Sequence, residues 1–287
     1  MGLFISQLIN GISGSAELFL TAVGMVIIFG MLDVVNMAHG ELIMLGAYAA
    51  CIGTGRLHLP FWASLVFAFV FSALIGILLE HLLIRKLYGK VAETMLATFA
   101  LTYIIPEIVR SIFGPENQNI TIPIRGSFSI GPVTVPYYDI FLIIMAVVVL
   151  GVTLFLFFRT SYGIQLRCVT QNRQMSQCLG INTGKIDKIT FAYGCGLGGL
   201  AGALLAPVAS VTPDMGTEYV VDSFLVVIMG GLNSILGSFF GSAIIEEATA
   251  AISSFTSLVT ARLLIFLVII VLIRFKPQGL FSSKDRR

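Results

Sequence analysis

Apolar residues fall in long runs along this chain, with short polar islands between them. The runs cover residues 17–32, about 40–54, 61–84, about 92–113, 137–158, 189–209, 220–232, 238–252 and 260–273. A helix rises 1.5 Å per residue, so about 20 apolar residues cross the ~30 Å hydrocarbon core of a bilayer. The runs at 61–84, 92–113 and 137–158 reach that length. The pattern predicts an all-α integral membrane protein of about eight spans, with residues 1–287 as a single membrane domain. Three islands read as extramembrane. Residues 114–136 hold Pro115, Pro123, Pro132 and Pro136 and predict an external loop with room for a short hairpin. Residues 159–188 and the tail, 274–287, are polar and basic.

Composition sharpens this picture. The chain is 57% hydrophobic and 11% charged, with a mean hydropathy of +0.97. Soluble domains carry about 25% charged residues. Thirteen of the seventeen Lys and Arg residues lie at 85–90, 159–188 and 274–287, whereas Arg56 and Arg125 mark the other side. The positive-inside rule therefore assigns those three segments to the cytoplasm and the Pro-rich loop to the outside. A net charge of +2 gives no reason to expect a nucleic-acid partner. The bilayer itself is the expected surrounding.

Several chemistries are not indicated. Cys51, Cys168, Cys178 and Cys195 form no CxxC pair and the three His are scattered, so neither a disulfide framework nor a metal site is expected. The nearest approach to a nucleotide-binding loop, Gly180–Ile186 (GINTGKI), has the wrong spacing and ends in Ile. No cofactor is expected to be bound by this chain. No basic segment precedes the first apolar run, so a cleaved leader is not expected. Neither GxSxG nor HExxH occurs, and His39-Gly40-Glu41 alone is no active site, so an intramembrane enzyme is the weakest reading.

Two polar interruptions carry the candidate chemistry. The early one, Asp33–Tyr48 (DVVNMAHGELIMLGAY), breaks the apolar pattern at Asn36–Gly40 and adds Glu41 and Gly46. The late one, Gly230–Gly237, contains Gly231, Asn233 and Ser234. Paired broken helices free backbone groups to face a cavity, which makes them the best sequence pointer to a transport pathway. His39 and Glu41 have two readings: contact with a passing solute, or hydrogen bonds that hold the bent segment. Glycines 194, 198 and 202 lie four apart and permit close helix approach. Glu80 and His81 are expected at the membrane interface. Glu107 and Arg110 can pair at i, i+3, and Glu246 or Glu247 can meet Arg262. Within 159–188, Ile164, Cys168, Met175, Leu179 and Ile181 are spaced roughly as one helix face. A helix over Arg167–Ile181 either docks a partner or merely connects two spans.

The motifs Asp33–Tyr48, Gly230–Ala243 (GGLNSILGSFFGSA) and Lys276–Phe281 (KPQGLF) together resemble those of the LivH-like permeases of branched-chain amino acid ABC importers. Three further segments resemble the urea-type members: Val169–Thr183 (VTQNRQMSQCLGINT), Pro213–Gly231 and Ile112–Ile120 (IFGPENQNI). The resemblance covers nearly the whole chain. It implies a multi-pass protein of the bacterial inner membrane that pairs with a second, related permease subunit as a heterodimer. Two cytoplasmic ATPase subunits and an external substrate-binding protein would complete the machine. ATP chemistry would belong to the ATPases. The segment Arg167–Ile181 would be the coupling helix, with Arg167, Gln171, Asn172, Met175, Cys178, Leu179, Gly180 and Ile181 as its contact residues. The cargo would be urea, with a branched-chain amino acid or a short amide as the alternative. A passive urea channel is a further alternative, although a channel has no use for a docking helix. Asn36, Asn233, Ser234 and freed carbonyls would suit urea, which is neutral and rich in N–H donors.

Overall fold

A computed structural model describes residues 2–130, 133–232, 234–276 and 279–281. The first helix, α1 (Gly2–Leu32), takes in the mildly apolar residues before position 17, which the hydropathy pattern set apart. It stops at Asp33, whose left-handed backbone (φ 54°) lets its N–H close on the Phe29 carbonyl at 3.0 Å. Residues 34–36 are irregular, Met37 and Ala38 form a turn, and α2 (His39–Cys51) then continues as a π-helical turn, Ile52–Arg56. Pro60 and Pro136 precede α3 (Phe61–Leu82) and α5 (Tyr137–Arg159), where a fixed φ and a missing N–H cost nothing. Between them lie α4 (Val91–Phe113) and the hairpin β1 (Ser127–Ile130) and β2 (Val133–Pro136), paired antiparallel with Phe128 opposite Val135. The external-loop reading thus includes a hairpin, as the Pro spacing allowed.

The polar segment after α5 differs from the single helix expected. It forms α6 (Ser161–Gln171) and α7 (Arg173–Cys178), split at Asn172. The Asn172 side chain accepts from the Met175 N–H at 2.9 Å, so an Asn that competes with the helix backbone starts a new one. The buried face of α6 is Gly163, Leu166 and Val169, and the apolar stripe through Ile164, Met175 and Leu179 faces outward. Helices α8 (Thr183–Leu205), α9 (Met215–Gly230), α10 (Ile235–Ser253) and α11 (Leu258–Phe275) follow. Asn182, Ser234 and Ser257 cap α8, α10 and α11 with side-chain hydrogen bonds.

Six helices are long and apolar enough to cross a membrane; α2, α9 and α11 are shorter. Layering follows burial: the apolar windows of α1 and α8 are 72% and 78% buried, against 17% for α4. The inner layer is therefore α1 and α8, with α2 and α3 packed on α8 and with α9 and α10 on α1. Outward faces of α3, α4 and α11 present Val66, Leu74, Leu96, Ile108 and Leu263, which suits lipid or another apolar chain.

Candidate translocation site

The inner helices meet backbone to backbone. A Cβ on Gly46 would lie 2.0 Å from the Gly199 carbonyl oxygen, and one on Gly202 would lie 1.8 Å from that of Ile43. Only glycine permits α2 and α8 to cross this closely. The expected series is used by two partners: Gly194 meets α1 at Ile28, Gly198 meets the His39 ring, and Gly202 meets α2. The start of α2 is pressed onto the start of α9 in the same way, with a Gly40 Cβ 1.9 Å from the Gly216 carbonyl.

These crossings fix the early break inside the bundle. The His39 Nε2–H donates to the Thr21 carbonyl at 2.9 Å. A carbonyl only accepts, so the proton is on Nε2. Thr21 precedes the end of α1 by eleven residues, roughly 16 Å along its axis. The segment after Asp33 therefore doubles back along α1, and α2 begins in the interior. Val34, Asn36 and Ala38 are buried. The Thr98 hydroxyl of α4 accepts from the Met37 N–H at 3.1 Å and lies 3.3 Å from the Val35 carbonyl. Asn36 Oδ1 accepts from the Ala38 N–H at 3.1 Å. His39, Gly40 and Glu41 already belong to α2, so the non-helical stretch is Asp33–Ala38.

What remains is a set of open polar groups. Asn36 Nδ2, His39 Nδ1, Glu41 Oε2 and the Tyr48 hydroxyl are buried with no hydrogen-bond partner. Ala38, at the N-cap of α2, has no side chain able to cap, so the first-turn N–H groups of Gly40 and Glu41 have no partner within the helix. Donors (Asn36, the α2 amides) and acceptors (His39 Nδ1, Glu41) thus lie at the start of α2, where the helix dipole is positive, with the His39 ring against Gly24 and Gly198 and the Glu41 carboxyl against Gly216. At the outer edge Arg110 joins α4 to α9, with Glu107 at 2.8 Å and both oxygens of Asp214 at 2.8 and 2.9 Å.

The late break lies elsewhere. Gly230 packs on Gly237 and Ser238, Gly231 (φ 95°) packs on Gly279, and Ser234 Oγ accepts from the Gly237 N–H at 2.9 Å. Ser234 shares a 210 Å³ cleft with Met31 of α1, Phe157 and Phe158 of α5 and Arg167 of α6. None of these residues belongs to the early break, so the structure does not bring the two breaks together. Asn233 lies outside the described residues. In the 159–188 segment Arg167, Gln171, Asn172, Met175, Cys178, Leu179 and Gly180 are all exposed and Ile181 is half-buried. The α6–α7 segment touches the end of α1 through Thr170, whose hydroxyl donates to the Met31 carbonyl at 3.3 Å, two residues before the early break. Glu80, in the last turn of α3, is buried at 1% exposure by the surrounding chain. Arg262 lines a small cleft with Asp222 and Glu246. Sequence reasoning did not pick out Thr21, Thr98 or Gly216. A Thr within an apolar run was the only signal for the first two.

Crossing-length helices around a polar, re-entrant interior define a multi-span membrane transport protein, and its setting is the bacterial inner membrane. The family model for the permease component of branched-chain amino acid transport systems matches residues 7–273, and the chain belongs to that family. It is 24% identical over 298 residues to the high-affinity branched-chain amino acid transport permease BraD of Pseudomonas aeruginosa, covering 98% of this chain and 97% of that protein. It is 25% identical over 300 residues to the LivH permease of Escherichia coli K12, covering 98% and 96%. A probable LivH permease of Methanocaldococcus jannaschii is 25% identical over 280 residues, covering 92% and 88%. No solved structure matches. A permease component of an ABC importer works with ATPase and solute-binding partners.

Proposed function

We propose that this chain forms the membrane pathway of an ATP-driven importer for branched-chain amino acids, and that the early break is its solute-contacting element. The observation that carries this reading is the group of open polar atoms at Asn36, His39, Glu41 and Tyr48. Each buried, unpartnered polar group costs about 1–3 kcal/mol. Three of them, at Asn36, His39 and Glu41, sit at the start of α2, and the bundle gains nothing from them there unless a solute uses them. The α2 amides and Asn36 Nδ2 suit a carboxylate, and Glu41 and His39 Nδ1 suit an ammonium group. The names of the 24–25% identical relatives support the same cargo.

The remaining parts follow from the importer reading. The exposed α6–α7 segment, with Met175, Cys178 and Leu179 outermost, is the proposed ATPase-docking surface. Its tilting would reach Met31, then the Asp33 hinge, then the start of α2. A second permease subunit, two ATPase subunits and an external binding protein complete the complex.

A second reading takes urea as the cargo, favoured by the segments Val169–Thr183 and Pro213–Gly231. Urea needs donors and acceptors but no countercharge, and the same atoms can serve it. Uptake of labelled L-leucine and labelled urea by vesicles holding the chain with its partner subunits, with and without ATP, decides. ATP-dependent leucine uptake supports the first reading, and urea uptake alone replaces it with the second. Flux that ignores ATP would sink both.

A further inference from the structure

A second polar interior adjoins the early break at Asp33. A cavity of 1090 Å³ opens between the C-terminal end of α1, the last turn of α3 with the loop after it, α6–α7 and the first turn of α8. Asn36, His39 and Glu41 are not part of its wall.

Its walls carry opposite character. Glu80 is 1% exposed and both its carboxylate oxygens lack a partner. Asp187, also 1% exposed, binds Arg173 at 2.5 Å through Oδ2 and leaves Oδ1 open. The Tyr88 hydroxyl lacks a partner as well, and its ring lies under the Arg173 guanidinium at 5.3 Å. Burial and the nearby carboxylates push the Tyr88 phenol up, so it stays neutral. The end of α1 adds the negative pole of a helix at Gly30, Met31 and Leu32. The same wall holds the start of α8 at Thr183 and Gly184, whose amides have no partner within the helix, and Arg85, whose charge acts on Glu80 without an ion pair among the described residues. A buried carboxylate without a partner is strongly unfavourable. An ammonium group would relieve Glu80 and Asp187, while a carboxylate would meet Arg85 and the α8 amides.

We propose that this cavity is a binding site for a zwitterionic α-amino acid, separate from the translocation element. The assignment rests on the cavity and not on the cargo reading. A simple amine, a simple carboxylate or urea satisfies one wall only.

The test uses the assembled transporter in nanodiscs without its binding protein, and measures equilibrium binding of labelled L-leucine. Competitors are unlabelled leucine, 3-methylbutylamine, 4-methylpentanoate and urea. Leucine should displace the label, and each single-charge analogue should bind at least about tenfold more weakly, the scale of a lost charge-assisted hydrogen bond. Glu80→Gln should weaken binding by a similar factor, while Arg125→Gln, exposed in the loop before β1 and outside both sites, leaves it unchanged. Should Glu80→Gln fail to assemble, Tyr88→Phe and Arg85→Gln decide. The first deletes a hydroxyl that has no partner and the second alters an exposed side chain, so both should fold, and both should weaken binding. Absence of saturable binding overturns the proposal. So does an amine, carboxylate or urea that competes as well as leucine, or binding unchanged in Glu80→Gln, Tyr88→Phe and Arg85→Gln.

Discussion

At the early break the chain leaves α1 at Asp33, runs beneath Thr98 and restarts inside the bundle at His39. At the late break it leaves α9 at Gly230, turns through Gly231 and restarts at Ile235 under a Ser234 cap. Both use glycine and a small polar residue. Among the described residues of the late turn, the Gly231 N–H donates to the Val227 carbonyl and the Ser234 N–H to the Gly231 carbonyl, and the Leu280 N–H then donates to the Met229 carbonyl at 3.0 Å. The early one draws its bonds from α1 and α4 and still leaves four buried groups open. A Gly–Asn pair in an apolar run therefore marks a break without saying what the break is for. The difference lies in whether the polar atoms are satisfied locally.

This contrast sets an order of expected effects. Gly46→Leu should be the most severe: its Cβ alone meets the Gly199 carbonyl at 2.0 Å, so α2 and α8 must separate. The measurement is recovery of assembled complex on size-exclusion chromatography, which should fall to background. Thr98→Val should come next. It removes the acceptor of the Met37 N–H and should cost about 1–3 kcal/mol, read as a lower thermal midpoint together with reduced uptake. At the late break, Ser234→Ala loses only a cap, with an expected cost of about 1 kcal/mol and uptake within about twofold of normal. An uptake loss in Ser234→Ala as large as in Thr98→Val would erase the distinction between the breaks. Smallest is Arg110→Gln, whose partners Glu107 and Asp214 are exposed. Its thermal midpoint should stay within the spread of replicate measurements on the unsubstituted complex, since solvent screens an exposed ion pair.

Much of the fold was legible because bilayer spans must be long and apolar. The spans at 61–84, 92–113 and 137–158 match α3, α4 and α5 to within a few residues. The glycine series at 194, 198 and 202 announced close contacts but not their partners, because periodicity does not say which helix approaches. The split of α6 from α7 was hidden because Asn172 reads equally as a helical surface residue and as a cap. The early break was visible in Asn36, His39 and Glu41. Its anchors were not: Thr21 and Thr98 are distant in sequence, and an isolated Thr in a span often bonds its own helix, as Thr98 also does with Thr94 at 2.8 Å. The burial of Glu80 was not legible, because a carboxylate near a helix end gives no sign that the surrounding chain closes over it.

The central claim is that the open groups of the early break serve a solute rather than the fold. Glu41→Gln tests it most directly, since it keeps the side chain's shape and removes its charge. ATP-driven uptake of labelled L-leucine and the thermal midpoint of the assembled complex would be measured on the same preparation. Uptake should fall by at least about tenfold, as for a lost charge-assisted bond, with the midpoint unchanged or raised. Undiminished uptake with a lowered midpoint would contradict the account and make Glu41 a structural residue.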